Sequence, residues 1–363
     1  MKNREKKSSW WKTLLKFVGL FIGAVILCVL GFFAYLTVTE FNPDEVEAVE
    51  VADGGSGSLD KGNSFSIMSW NIGYGALGDN ADFFMDGGTS VMTADELRLD
   101  ENLNGIAAQV KDTDPDILLL QEIDLNSKRS YNVNELEFMQ GEMGKYSSAF
   151  AYNYKVKYVP YPMPPLGKVE SGIATFSKTE IQSAERYQLP VPFSWPVRTA
   201  NLKRGLLETH IPVKGSDKEL VVINLHLEAY DSGEGKIAQT KMLAEVLKEE
   251  RDKGNYVIAG GDFNQIFSSE DETIYPPNPE LWMPGEIDVD QIGEGFQFFM
   301  DESTPTCRSL DRPLKGADPE NFQYYLIDGF IVSDNITIED GRTMDLGFKV
   351  SDHNPVILEL TLN

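Results

Sequence analysis

Apolar residues follow three different rhythms along this chain. The first is continuous: Phe17 to Val38 is a run of 22 residues without a charged side chain. As a helix it would span about 33 Å, close to the thickness of a bilayer hydrocarbon core. The second is a set of short runs rich in Ile, Val, Leu and aromatics, at Phe65–Asn71, Asp116–Gln121, Val221–Leu225, Tyr256–Ala259, Leu326–Val332 and Pro355–Leu360. Each has the length and composition of a buried strand. The third is helical spacing, over Leu97–Val110 and Lys236–Leu247, with a stop and turn predicted at Asp252–Asn255. Strands that alternate with helices predict an α/β or α+β class.

The flanks of the long run give it a direction. Trp10 and Trp11 stand where an interfacial belt would, Lys2, Arg4, Lys6, Lys7, Lys12 and Lys16 crowd the N-terminal side, and no Lys or Arg follows until Lys61. This asymmetry predicts a single-pass anchor with a cytoplasmic N-terminus and the remainder outside the cell membrane. A cleaved signal peptide would have a shorter apolar segment and a small-residue cleavage site. Residues 39–63 carry seven carboxylates around Gly54-Gly55-Ser56-Gly57-Ser58, the composition of a flexible tether. The predicted division is therefore 1–40 for the basic tail and transmembrane helix, 41–63 for an acidic linker, and 64–363 for one catalytic domain. The proline-rich stretch 265–320 reads as a loop-rich insertion within that domain.

A net charge of -25 argues against broad attachment to nucleic acid or anionic lipid, since both need a cationic field. An anionic substrate stays possible if a divalent cation supplies the positive charge. Two cysteines, Cys28 and Cys307, define no disulfide framework.

The candidate chemistry sits at the ends of the predicted strands. Ser69-Trp70-Asn71 ends the first, Gln121-Glu122 the second, Asn224-Leu225-His226 the third and Gly260-Gly261-Asp262-Phe263-Asn264 the fourth. In α/β folds the carboxyl ends of strands are where ligands bind. Asp262 and Asn264 are two apart and share a side of an extended chain, and the paired glycines allow close approach. Asp328 lies in an apolar run, where a lone charge is costly and needs a cation or donor. Ser351-Asp352-His353-Asn354-Pro355 leads into the last strand, and of the three histidines, His226 and His353 fall in these motifs while His210 does not.

In this order the motifs resemble those of the endonuclease/exonuclease/phosphatase superfamily, which includes deoxyribonuclease I-like nucleases and neutral sphingomyelinases. The resemblance runs from about Ser64 to Asn363, and Gly-Asp-Phe-Asn and Ser-Asp-His-x-Pro are its most specific elements. It implies a four-layer sandwich, with two mixed β-sheets packed face to face and helices outside. It also implies a Mg²⁺- or Mn²⁺-dependent hydrolase of a phosphodiester or phosphomonoester. Glu122, Asn71 and Asp352 would hold the metal, which takes hard oxygen ligands. His353 would orient or deprotonate the attacking water with Asp328 fixing its tautomer, His226 would serve the phosphoryl oxygen or leaving group, Asp262 would do acid/base work, and Asn264 would hold the phosphate.

One stretch departs from the acidic background. Residues 151–207 hold eight basic residues against three acidic ones, interleaved with Tyr, Phe and Trp. Such a mixture can cradle phosphates or dock at a lipid interface. Lys155, Lys157 and Arg204 are therefore expected on a wall of the substrate site. The expected partner is an anionic phosphoester, whether a phospholipid head group, nucleic acid or another phosphodiester; no protein partner is implied. The alternatives are a membrane-tethered nuclease on extracellular nucleic acid and a catalytically silent binding protein that keeps the fold.

Overall fold

The computed structural model describes residues 7–363, with side chains from Trp10 onward. Lys2, Arg4 and Lys6, which carry part of the predicted charge asymmetry, lie outside the described residues. The N-terminal helix runs Lys7–Val38, and its Trp10–Val38 portion, with a mean hydropathy of 2.7, is long and apolar enough to cross a membrane by length and composition.

After this helix the structure departs from the predicted tether. Val46–Ala48 pairs antiparallel with Ser183–Gln188, Val51–Ala52 with Ser147–Val159, and Leu59–Asp60 runs parallel to Gly205–Lys214. Acidic composition predicts solvation, but Val46, Val51 and Leu59 alternate with the carboxylates and bring short segments to open sheet edges. Gly54 and Gly55 permit the crossing: a Cβ on either would collide with backbone oxygens of Tyr146 or Thr179. Residues 41–63 are thus a strap laid across the domain.

Beside two small two-stranded sheets, two large sheets form the body of the domain. In one the strand order is Val46–Ala48, Ser183–Gln188, Gly205–Lys214, Glu219–His226, Tyr256–Asp262, Asp328–Ser333 and Phe296–Phe299, with Leu59–Asp60 added beside the third. In the other it is Ile336–Thr343, Val356–Leu362, Ser64–Asn71, Ile117–Asp124, Gly167–Ser177, Ser147–Val159 and Val51–Ala52. Both mix parallel and antiparallel pairs.

Strand alternation explains the layers. Phe65, Ile67, Ile117 and Leu119 point inward and meet Leu220, Val222, Ile258, Phe330 and Val332 of the other sheet in a single core. Their neighbours Met68, Trp70, Leu118 and Leu120 point outward onto Ile106, Ala107 and Val110 of the helix Glu96–Thr113. Val221, Ile223 and Val257 likewise meet Leu243, Val246 and Leu247 of the helix Glu234–Asp252. Strands buried on both faces read as continuous apolar runs, which is why these were visible in the sequence. The insertion 265–320 is partly ordered into the sheet through its edge strand Phe296–Phe299.

Candidate active site

Register brings the strand-end motifs together. His226 lies beside Asp262 on parallel neighbours, and Asp262 lies opposite Asp328 on the next strand, so three ionisable groups form one row across three strands. Asn71 and Glu122 come from the facing sheet, and Ser351-Asp352-His353 closes the end just before the last strand. All are at the rim of the core.

Glu122 is aimed by a local irregularity. The pairing of Ile117–Asp124 with Gly167–Ser177 slips between Leu120 and Ile123, and Glu122 takes a φ of 54°. A bulge re-aims one side chain while the strand continues. Asn264, at φ 52°, and Tyr74, at φ 40°, also adopt left-handed conformations at this site, and such backbone strain concentrates where surrounding structure holds a functional geometry.

Asp262 is the hub. Its Oδ2 accepts from Asn71 Nδ2 at 3.0 Å, and its Oδ1 accepts from the Asn264 backbone N–H at 2.8 Å. His226 Nε2 lies 3.4 Å and His353 Nε2 3.8 Å from the same Oδ2. His353 Nδ1 is 2.8 Å from Asp328 Oδ2, and the Asp328 backbone is pinned by its N–H donating to Thr306 Oγ1. Burial, with the charge of Asp328 adding, pushes the Asp262 carboxyl up to about 7. Burial, then Arg204 and His353, holds His226 well below the usual imidazole range. Burial opposes the His353 imidazolium, yet Asp328, Cys307 and Asp352 outweigh it and hold that group well above the ordinary value.

A second acidic group adjoins the hub. Glu122 Oε1 lies 4.0 Å from His226 Nε2 and accepts from Asn71 Nδ2 at 3.4 Å. Burial and the charge of Glu122 raise Asp352 to about 6, and burial raises Asp86 to about 7 with Asp352 and Glu122 contributing. Among the described residues no Lys or Arg pairs with Glu122 or Asp352. The nearest candidates are committed elsewhere: Arg129 to Asp124, and Arg308 to the carbonyls of Ser309 and Gly78. Crowded, unneutralised carboxylates with an amide beside them fit a hard divalent cation. Buried Asp328 Oδ1 has no hydrogen-bond partner, as expected of a site whose charge is incomplete. Two sets of three donors lie mutually within 4.8 Å: Asp262, Asp328 and His353, and Cys307, Asp352 and His353.

The structure adds contacts to several of the predicted site residues. Asn264 Nδ2 donates to Leu227 O at 2.9 Å, so its amide ties down the loop after His226. Gly260 makes room for the Phe330 ring and Gly261 for the Leu225 backbone, the close approach expected of the glycine pair. Lys155 and Lys157 are outside the site. Tyr154 faces the cavity, and strand alternation turns both lysines away, Lys155 over the Tyr152 ring at 4.1 Å and Lys157 towards Glu170 at 3.7 Å. Arg204 does line it, donating to His226 O at 3.1 Å and lying 3.5 Å from Glu228.

Sequence reasoning missed other contributors. Ser351 Oγ donates to Asn71 O at 2.7 Å and accepts from His353 N–H at 3.1 Å, clamping together the motifs at the ends of two neighbouring strands of one sheet. Gln121 Nε2 donates to Asn224 Oδ1 at 2.8 Å, a bridge between the two sheets. Both lay within quoted motifs. Tyr230, whose hydroxyl donates to Asp86 at 3.0 Å, and Trp282 carried no local signal. Tyr230 and Trp282 join Glu122, His226, Asp262, Asp352 and His353 in lining a cavity of about 400 Å³, the polar groups forming its floor and Phe83, Phe84, Leu166, Phe193 and Leu202 an apolar wall.

The sequence model described as the endonuclease/exonuclease/phosphatase family matches residues 68–353. The chain belongs to that family. No curated protein sequence matches it. Among solved structures it is similar to an endonuclease/exonuclease/phosphatase from Beutenbergia cavernae, at 18% identity and a TM-score of 0.57, covering 83% of this chain and 72% of the other. It is also similar to one from Bacteroides vulgatus, at 15% identity and 0.51, covering 83% and 100%. A third is the human Nocturnin catalytic domain with bound sulfate, at 14% identity and 0.50, covering 87% and 97%. These likenesses show the fold. Family membership and the paired donor clusters make this protein a metal-dependent hydrolase of phosphoester bonds.

Proposed function

We propose that this family member is a membrane-anchored, extracytoplasmic phosphodiesterase that uses Mg²⁺ or Mn²⁺ and water in line with the leaving group. One observation carries the reading: both imidazole Nε2 atoms converge on Asp262 Oδ2, at 3.4 and 3.8 Å, beside the carboxylates of Glu122 and Asp352. Glu122, Asn71 and Asp352 would hold the metal, and the chemistry supplied there would be neutralisation of phosphoryl charge and polarisation of the phosphorus–oxygen bond.

The chain's own residues supply the rest. Asp328 fixes the ring of His353, which orients the attacking water, and Asp262 takes up the proton that the water loses. His226 stabilises the phosphoryl oxygen that gains charge. Asn264 and Asn71 hold Asp262 in place, so positioning is prepared before substrate arrives. The outside location is supported by Lys12 and Lys16 at the start of the helix and the lack of basic residues from Thr39 to Asp60.

The test uses the full chain in detergent with bis-p-nitrophenyl phosphate. Turnover should require Mg²⁺ or Mn²⁺, vanish with chelator, and fall roughly 10²- to 10⁴-fold in His353→Ala. Metal-independent turnover, none at all, or a wild-type rate in that variant would sink the proposal.

A further inference from the structure

The apolar wall of the cavity continues outward to the anchor helix. Phe32 packs edge-on to Tyr158 at 6.4 Å between ring centroids, Phe33 meets Trp195 at 5.8 Å, and the Trp195 indole N–H donates to Thr37 at 3.0 Å. Below them, Glu40 takes Lys203 at 2.7 Å and Arg198 at 3.3 Å, and Leu36 is buried. The helix therefore docks on the domain at two loops, around 158–163 and 193–198. The same loops contribute Val159, Tyr161, Phe193 and Val197 to the cavity lining.

Depth along the helix gives this contact its meaning. If Phe17–Val38 fills the hydrocarbon core, Phe32 and Phe33 lie about 7–9 Å inside its outer end at 1.5 Å per residue. Tyr158 and Trp195 touch them, and the Trp195 indole also reaches Thr37 next to the outer end, so these two side chains lie between that depth and the membrane interface that Tyr and Trp favour. Trp195 itself is 53% exposed, and around the pair Met163 is 86% exposed, Tyr161 62% and Val197 57%. Water is a poor environment for such a cluster, and an apolar patch around a cavity mouth marks what covers it. The polar floor, by contrast, is held by buried strand ends.

We infer that the mouth of the active site is seated in the outer face of the membrane, and that its substrate is a phosphoester lipid drawn from that leaflet. This rests on the phosphodiesterase reading and names its substrate class. The lipid's apolar part lies against Phe83, Phe84, Leu166, Phe193 and Leu202, while its phosphate reaches Asp262 and the histidines. Hydrolysis adds the water oxygen to phosphorus, one phosphorus–oxygen ester bond breaks, and the released alcohol oxygen takes a proton, so water supplies all the atoms gained. The length of the anchor and the strap fix the distance of the site from the bilayer, so a lipid need only rise into the cavity.

The test reconstitutes the full chain, with Mg²⁺, in separate vesicles of phosphatidylcholine, phosphatidylethanolamine, phosphatidylglycerol and sphingomyelin, with bis-p-nitrophenyl phosphate and single-stranded DNA as soluble arms. At least one lipid should be hydrolysed. Met163 and Trp195 lie on the rim outside the cavity lining, so Met163→Ser with Trp195→Ala should lower lipid turnover about tenfold and leave the soluble diester rate in place. Quenching of tryptophan fluorescence by lipids with brominated acyl chains gives a readout independent of activity: Trp195→Phe should remove a measurable part of it. Soluble diester or DNA turnover with no lipid hydrolysis would overturn the inference while leaving the phosphodiesterase reading intact. Equal losses on lipid and soluble substrates in the rim variant, or unchanged quenching in Trp195→Phe, would also overturn it. Loss of every activity in the unmodified chain would instead strike the phosphodiesterase reading.

Discussion

The floor and the rim of the cavity are built by opposite means. The floor is a polar cluster fixed by strand register: Asp262 takes two hydrogen bonds and faces two imidazoles, and its neighbours come from both sheets. The rim is a set of exposed apolar side chains on two loops that meet the N-terminal helix and Glu40. Groups that must act at the reacting atoms need sub-ångström placement, whereas groups that exchange water for lipid need only surface. The difference predicts that floor variants should harm every substrate alike and that rim variants should discriminate.

The sharpest break would come at the hub. Asp262→Asn keeps the shape and removes the charge, and should lower kcat by roughly 10³-fold or more on lipid and soluble diester alike, with little change in KM. Steady-state kinetics on both substrates would decide it. A loss confined to one substrate would mean that Asp262 belongs to recognition and that the floor is not a common chemical device.

The floor was also the legible half in sequence. Asn71, Glu122, His226, Asp262, Asp328, Asp352 and His353 all end or begin runs buried on both faces, and such runs announce strands whose ends must meet. The rim was illegible for a physical reason. Tyr158, Met163 and Trp195 lie in a stretch whose aromatic and basic residues suggested phosphate contact, yet Lys155 and Lys157 face away because of alternation that begins at a bulged strand. The long hairpin Ser147–Val159 and Gly167–Ser177 was missed because its composition is mixed, with lysines and serines among the apolar positions. The strap at 46–60 failed for a related reason: its strands are two or three residues long, too short for any period to show.

A smaller effect is expected at the seam between the two regions. Glu40 and Lys203 are both largely buried, so Glu40→Gln strands a cation in a dry place. Breaking such a pair costs about 3 kcal/mol, and thermal unfolding in detergent should show a drop of several degrees in Tm. The ratio of lipid to soluble turnover should fall with it, because the helix is then less firmly held to the rim loops. An unchanged Tm would mean that the helix and domain are independent and that the depth argument loses its footing.

The smallest effect lies in a histidine outside both regions. His210 bridges Glu208 at 3.1 Å and Glu219 at 3.0 Å, on the strand beside Glu219–His226 but opposite Val221, roughly 16 Å from the His226 end at the usual rise per residue. The hydrogen bond to Glu208, against the cost of burial and with help from Glu219, raises it to about 9. Because the folded value is above the unfolded value of about 6.5, its stabilisation is fully present below pH 6.5 and is lost as pH rises through about 9. After allowing for solvent screening, His210→Asn should cost about 1–2 kcal/mol at pH 6 and much less at pH 10, with turnover on the soluble diester at neutral pH unaltered. Denaturation midpoints of the two proteins at both pH values test this. A variant equally destabilised at pH 6 and pH 10 would show that His210 acts by packing alone, and a loss of turnover would extend the floor well beyond the residues gathered around Asp262.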